Sequence, residues 1–89
     1  MATLFVRHQV ADFPAWKSGY DKHSALRKEH GVTSDGVYQS ADDANDVTVY
    51  HEFDTIQAAK AFAAMPELKA AMDELGVTGA PQIWFANRV

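Results

Sequence analysis

The 89-residue chain contains no cysteine, so it forms neither a disulfide framework nor a thiolate nucleophile, which fits a cytoplasmic protein. No apolar run approaches the roughly 18 residues that a membrane span requires. The opening MATLFVRHQV alternates and carries Arg7 and His8, which reads as a strand and not as a secretory leader. Basic residues are the minority: eight Lys and Arg against twelve Asp and Glu leave a net charge of −4. That balance excludes the basic face a nucleic-acid partner demands. No H-x-x-x-H, C-x-x-C or calcium-loop pattern occurs, and no metal site is expected. Asp42, Asp43 and Asp46 with Asn45 lack EF-hand spacing and its closing Glu, so they read as a solvated turn.

What is present is enough for one folded domain over residues 1–89. Hydrophobic residues make up 47% and charged residues 22%, the balance of an ordinary globular domain with one modest core. Residues 3–10 alternate, with Leu4, Val6, His8 and Val10 on one face and Thr3, Phe5, Arg7 and Gln9 on the other. Asp12 is placed to cap a helix whose first turn holds Pro14. From Phe13 the period becomes helical: Phe13, Trp16, Tyr20, His23, Arg27 and His30 share about 100° of arc, and Gly31 ends the run.

A second strand is expected over Ser34–Ser40 and a third over Val47–Asp54, joined by the turn formers of ADDAND. Thr55 caps a helix carrying Ile56, Ala59 and Phe62. Met65-Pro66 restarts it with Leu68, Met72 and Leu75 buried, and Gly76 stops it. After Pro81 comes a last strand, Gln82–Asn87. The order β-α-β-β-α-β predicts an α+β, ferredoxin-like domain, with helices over one face of a four-stranded antiparallel sheet. The other face would present Phe5, Tyr50 and Trp84 among Thr3, Arg7, Gln9, Glu52 and Gln82. That face is too aromatic for water and too polar for a core, so a second copy is expected to cover it, sheet on sheet.

Three segments carry a family resemblance that spans nearly the whole chain: RHQVADFPAWKSGYDKHSALRKEHGV, VTVYHEFDTIQAAKAFAAMPELKAAM and GAPQIWF. They resemble the small dimeric α+β-barrel proteins of the antibiotic-biosynthesis-monooxygenase type, nearest to short bacterial members of the cyclase-like kind. The resemblance implies a homodimer through the open sheet face and a pocket between helices and sheet in each subunit. It also implies cofactor-free oxygenation, isomerisation or cyclisation of phenolic or polyketide-like molecules. Haem degradation, found in some relatives, depends on an Asn, a Trp and a helical His. Here His51-Glu52-Phe53 and Phe62 stand where an acidic residue, that Trp and that His would be, so the haem reading has no support.

Four histidines supply the candidate chemistry, since neutral imidazole is suited to proton transfer near pH 7. His8 and His23 are the candidate bases. Tyr20 is a candidate hydrogen-bond donor to a substrate oxygen, and Arg27 a partner for an enolate or carboxylate. Trp16, His51, Phe53 and Phe62 are the expected lining of the substrate pocket. Each also has a plain structural reading: His8 and His51 as satisfied core histidines, Tyr20 as core with Arg27 lying over it, and the aromatics as filling for the cleft. If strands one and three pair antiparallel, His51 falls near Leu4 and His8 near the start of strand three, a separation of up to more than about 10 Å that weakens a paired role. His30, beside Gly31, complements the helix dipole. The leading function is a homodimeric, cofactor-independent enzyme that begins by removing a proton from a small aromatic molecule. A ligand-binding module or a structural or regulatory dimer of the same fold is the alternative.

Overall fold

The computed structural model describes residues 1–89. The elements are β1 (Ala2–Val10), α1 (Phe13–Lys22), α2 (Ser24–Glu29), β2 (Ser34–Gln39), β3 (Asp46–Phe53), α3 (Ile56–Ala63), α4 (Pro66–Glu74) and β4 (Val77–Asn87). The strands form one antiparallel sheet in the order β2-β3-β1-β4, the ferredoxin-like arrangement expected from the alternation. Both strand periods hold. Leu4, Val6, His8 and Val10 of β1 are buried under the helices, as are Val47, Val49, His51 and Phe53 of β3. Register places His51 opposite Leu4 and His8 opposite Val47. Four residues of strand, about 13 Å, therefore separate the two imidazoles along the sheet.

Local chemistry accounts for the helix ends. Thr55 Oγ1 accepts the Ala58 N–H at 3.1 Å, capping α3. The Asp12 carboxylate caps nothing, although Asp12 occupies the N-cap position of α1. Instead Asn45, from the β2–β3 turn, accepts the Phe13 N–H at 3.2 Å and ties α1 to the sheet. Gly31, at φ +92°, closes α2 in a Schellman motif: Val32 N–H reaches Arg27 O and Gly31 N–H reaches Lys28 O. Gly76 does the same service for α4 at φ +84°.

Two expectations need correction. The helical stripe from Phe13 to His30 is not one helix, because the chain breaks at His23 (φ −93°, ψ 14°). The break carries Arg27 back over α1, where its guanidinium donates to the Tyr20 carbonyl at 2.6 Å and satisfies one of that helix's terminal acceptors. The last strand begins at Val77, five residues before Gln82. Pairing with β1 runs from Asn87 to Gln82, skips, and resumes at Thr78 opposite Gln9. Gly79 at φ +72° and Pro81, which has no N–H to give the ladder, form the irregularity between.

The buried apolar residues fall into two groups, not one. Leu4, Val6, Phe53, Ala59 and Phe62 pack at one end with Ala2 and Val32. Val10, Trp16, Val47 and Val49 pack at the other. On the uncovered face Phe5 stacks on Trp84 at 5.4 Å, and Tyr38 lies 6.2 Å from Tyr50. Trp84 is 43% and Tyr38 62% exposed. No helix is long and apolar enough to cross a membrane.

Candidate active site

Between the two packed groups lies a cavity of about 70 Å³, or about 660 Å³ with the open space at its mouth included. Its floor is the sheet: Val6 and His8 from β1, Val49 and His51 from β3. One wall is the first helical pair, through Trp16, Tyr20, His23, Leu26 and Arg27. The opposite wall is apolar, built by Phe62 of α3, Met65, and Leu68, Met72 and Leu75 at one side of α4. The lining is mostly apolar, with its few polar residues on the floor and the first helical pair and hydrocarbon alone on the opposite wall, the general pattern of a small-molecule site.

Seven of the eight candidate residues line this cavity: His8, Trp16, Tyr20, His23, Arg27, His51 and Phe62. Phe53 does not. It is fully buried in the packed group at the end of the cavity, two residues along β3 from His51, where its ring packs 5.5 Å from that of Phe62. His30, on the exposed end of α2, lies outside the lining.

The polar wall is a connected set. The Tyr20 hydroxyl lies 2.9 Å from His51 Nε2, and the two rings are parallel within 6°. The Arg27 guanidinium sits 3.7 Å above the Tyr20 ring centre and is 7% exposed. Its Nε donates to Asp35 at 2.9 Å. Burial pushes the Tyr20 phenol well above its ordinary range, against an opposing pull from Arg27; the nearby Asp35 carboxylate adds to the rise, although the hydroxyl's hydrogen-bond partner is His51. Tyr20 therefore keeps its proton at physiological pH. Burial, reinforced by the Arg27 cation, lowers His51 to about 4, so this imidazole is neutral. Burial also lowers His8, offset in part by its own backbone carbonyl and by Asp46; its ring meets Trp16 edge-on at 5.5 Å.

His23 differs from both. It is half-buried, and its Nδ1 lies 2.8 Å from the Gly19 carbonyl one turn back. A carbonyl only accepts, so Nδ1 carries the hydrogen and the neutral ring presents an unprotonated Nε2. The Gly19 oxygen thus sets the His23 tautomer in the form a general base requires.

Asp35 is a site residue that no motif in the sequence marks. Its signal was present: the β2–β3 ladder sets Asp35 beside His51, so an acidic residue occupies an inward-facing strand position that needs a charged partner. Leu26 and Met65 also line the cavity, and their convergence on it depends on the turns between helices, which no local period specifies.

Residues 20–74, more than half of the chain, match the family described as antibiotic biosynthesis monooxygenase. None of the curated proteins matches the sequence. Among solved structures, a protein from Bordetella bronchiseptica is similar over 99% of this chain and 96% of its own, with a TM-score of 0.84 at 12% identity. SnoaB, a cofactor-independent oxygenase from Streptomyces nogalater, is similar over 99% and 94%, with a TM-score of 0.74 at 15% identity. The monooxygenase ActVA-Orf6 of Streptomyces coelicolor, solved with nanaomycin D, is similar over 99% and 87%, with a TM-score of 0.68 at 18% identity. With this family match and a four-stranded sheet whose helices enclose the cavity, the chain belongs to the antibiotic biosynthesis monooxygenase family.

Proposed function

We propose that the protein is a homodimeric, cofactor-independent monooxygenase of the cytoplasm that oxidises a compact phenol. The observation that carries this reading is the His23 hydrogen bond to Gly19 O, which leaves Nε2 of a cavity-lining imidazole free to take a proton. His23 removes the phenolic proton, and the phenolate is held against the Tyr20 hydroxyl and the Arg27 cation. His8, more deeply buried and packed on Trp16, serves as floor and polar contact, with His51 and Phe62 around the ring.

The phenolate then supplies the electrons for dioxygen. Oxygen bonds to the para carbon and gives a hydroperoxide after protonation. Loss of that carbon's proton with O–O cleavage leaves a carbonyl and releases water. A phenol and one dioxygen thus become a quinone and one water, with no outside reductant. The enclosed space of about 70 Å³ is smaller than the roughly 150 Å³ that holds a benzene ring, so the substrate is compact and also occupies the open mouth.

The uncovered sheet face supports the dimer, because Trp84 and Tyr38 remain wet in one copy. Dioxygen uptake with a panel of one-ring and fused-ring phenols tests the function. One atom of labelled dioxygen should appear in a product carbonyl for one-ring members. Tight binding without uptake across the panel would favour a ligand-binding module instead.

A further inference from the structure

His51 is buried and has two ring nitrogens with different fates. Nε2 faces the Tyr20 hydroxyl at 2.9 Å, while Nδ1 is buried with no hydrogen-bond partner. Because the ring is neutral, one nitrogen carries hydrogen and the other does not. If Tyr20 donated to Nε2, the hydrogen would sit on Nδ1, where nothing accepts it. The perpendicular Phe62 ring, centred 5.4 Å away, is only a weak π acceptor. If Nε2–H donates to the Tyr20 oxygen instead, Nδ1 keeps only an unmet lone pair. The donor that then needs an acceptor is the Tyr20 O–H, on a partly buried residue lining the cavity, where water or a ligand can accept it. An orphaned buried N–H is the rarer and costlier defect.

We propose that His51 is a positioning residue that donates its Nε2–H to the Tyr20 oxygen, thereby turning the Tyr20 hydroxyl into a hydrogen-bond donor to an oxyanion in the cavity. The phenol oxygen accepts from the imidazole, so its own hydrogen is left to be given elsewhere. Donation from His51 polarises that hydroxyl and makes it a stronger donor. Arg27, over the same ring, adds positive charge close to that hydroxyl's ring. The ligand class that follows is an aromatic or enolic oxyanion. This assignment rests on the reading of the cavity as a phenolate site.

The test has an arm free of any ligand. In wild-type protein with nitrogen-15 histidine, the His51 ring should give the spectral pattern of the Nε2–H tautomer. An Nδ1–H pattern would overturn the assignment while leaving the phenolate reading intact. In the second arm the probe is p-nitrophenol, whose ionised form is read by its colour. Wild type should bind the anion in preference to the neutral phenol. Tyr20→Phe and His51→Phe should each weaken anion binding about 10-fold, the scale of one hydrogen bond to a charged group. Combining them should weaken it no further, and His51→Gln, which restores an N–H near Nε2, should recover most of the loss. Multiplying losses in the double variant would mean that His51 does not act through Tyr20. A wild-type protein that does not take up p-nitrophenolate would overturn the phenolate reading and this assignment together.

Discussion

Arg27 and Asp35 form an ion pair of unequal burial: Nε meets Oδ2 at 2.9 Å with the Arg27 side chain 8% and the Asp35 side chain 36% exposed. The cation is the member that water cannot rescue. Removing the anion strands a charge among Tyr20, His51 and the cavity wall, whereas removing the cation leaves a carboxylate that solvent can reach. Asp35→Ala should therefore lower stability by about 2 kcal/mol, and Arg27→Met, which keeps the stem over Tyr20, by about half as much. Urea unfolding of the two variants checks this, and the reverse ranking would refute the asymmetry.

Gly19 is the point at which α4 rests on α1. A methyl group there would run into the Leu75 side chain, whose Cγ and Cδ1 both lie within 3.4 Å of the added carbon. The hardest clash is with the tip of this side chain, so Leu75 must swing away from its place against α1 and its Cγ must give by a few tenths of an ångström. Replacing a mid-helix glycine by alanine normally gains about 1 kcal/mol. Here overpacking offsets that gain, and Gly19→Ala should be neutral to destabilising by about 1 kcal/mol. Hydrogen exchange in α4 should quicken, and Leu75→Ala in the same chain should restore its protection.

The buried histidines make stability depend on acid. His51 titrates at about 4 when folded against an ordinary 6.5, so between those values the unfolded chain binds the extra proton and the folded chain does not. Stability is complete above about pH 6.5 and falls as the pH drops toward 4. The full loss from this residue is roughly 3 kcal/mol. His8, lowered in the same direction, adds to it. Denaturant midpoints from pH 7.5 to 4.5 should trace the decline, and His51→Phe should flatten it.

On the open sheet face the exposed Trp84, stacked on Phe5, predicts a dimer in light scattering at micromolar concentration. Trp84→Glu puts an unpaired charge into that contact and should give a folded monomer. A monomeric wild type would remove the basis for sheet-on-sheet association.

Strand alternation made much of this legible. Leu4, Val6, His8 and Val10 follow a period of two that admits one register of burial, and antiparallel pairing then forces His51 away from His8. The shared helical stripe of Trp16, Tyr20, His23 and Arg27 already gathers the residues of the first wall. The break at His23 stayed hidden because the helical period runs straight through it. What accompanies it is the pairing of Arg27 with Asp35 and the Tyr20 carbonyl, contacts that helical spacing does not show. Phe53 looked like a lining residue for a related reason: its inward face was plain, but only packing decides whether an inward ring meets the cavity or the core. Asp12 shows the same limit, since an N-cap position does not guarantee that its carboxylate, and not Asn45, answers the free N–H.

The central claim is that His23 Nε2 removes a proton in this cavity, and deuterium uptake measures that step without waiting for oxygen chemistry. Resorcinol, a one-ring phenol whose ring hydrogens exchange through its anion, should take up deuterium from heavy water faster with the protein than without it. His23→Ala should cut that acceleration on the order of 10²-fold or more while resorcinol still binds. Undiminished exchange in His23→Ala would contradict the account.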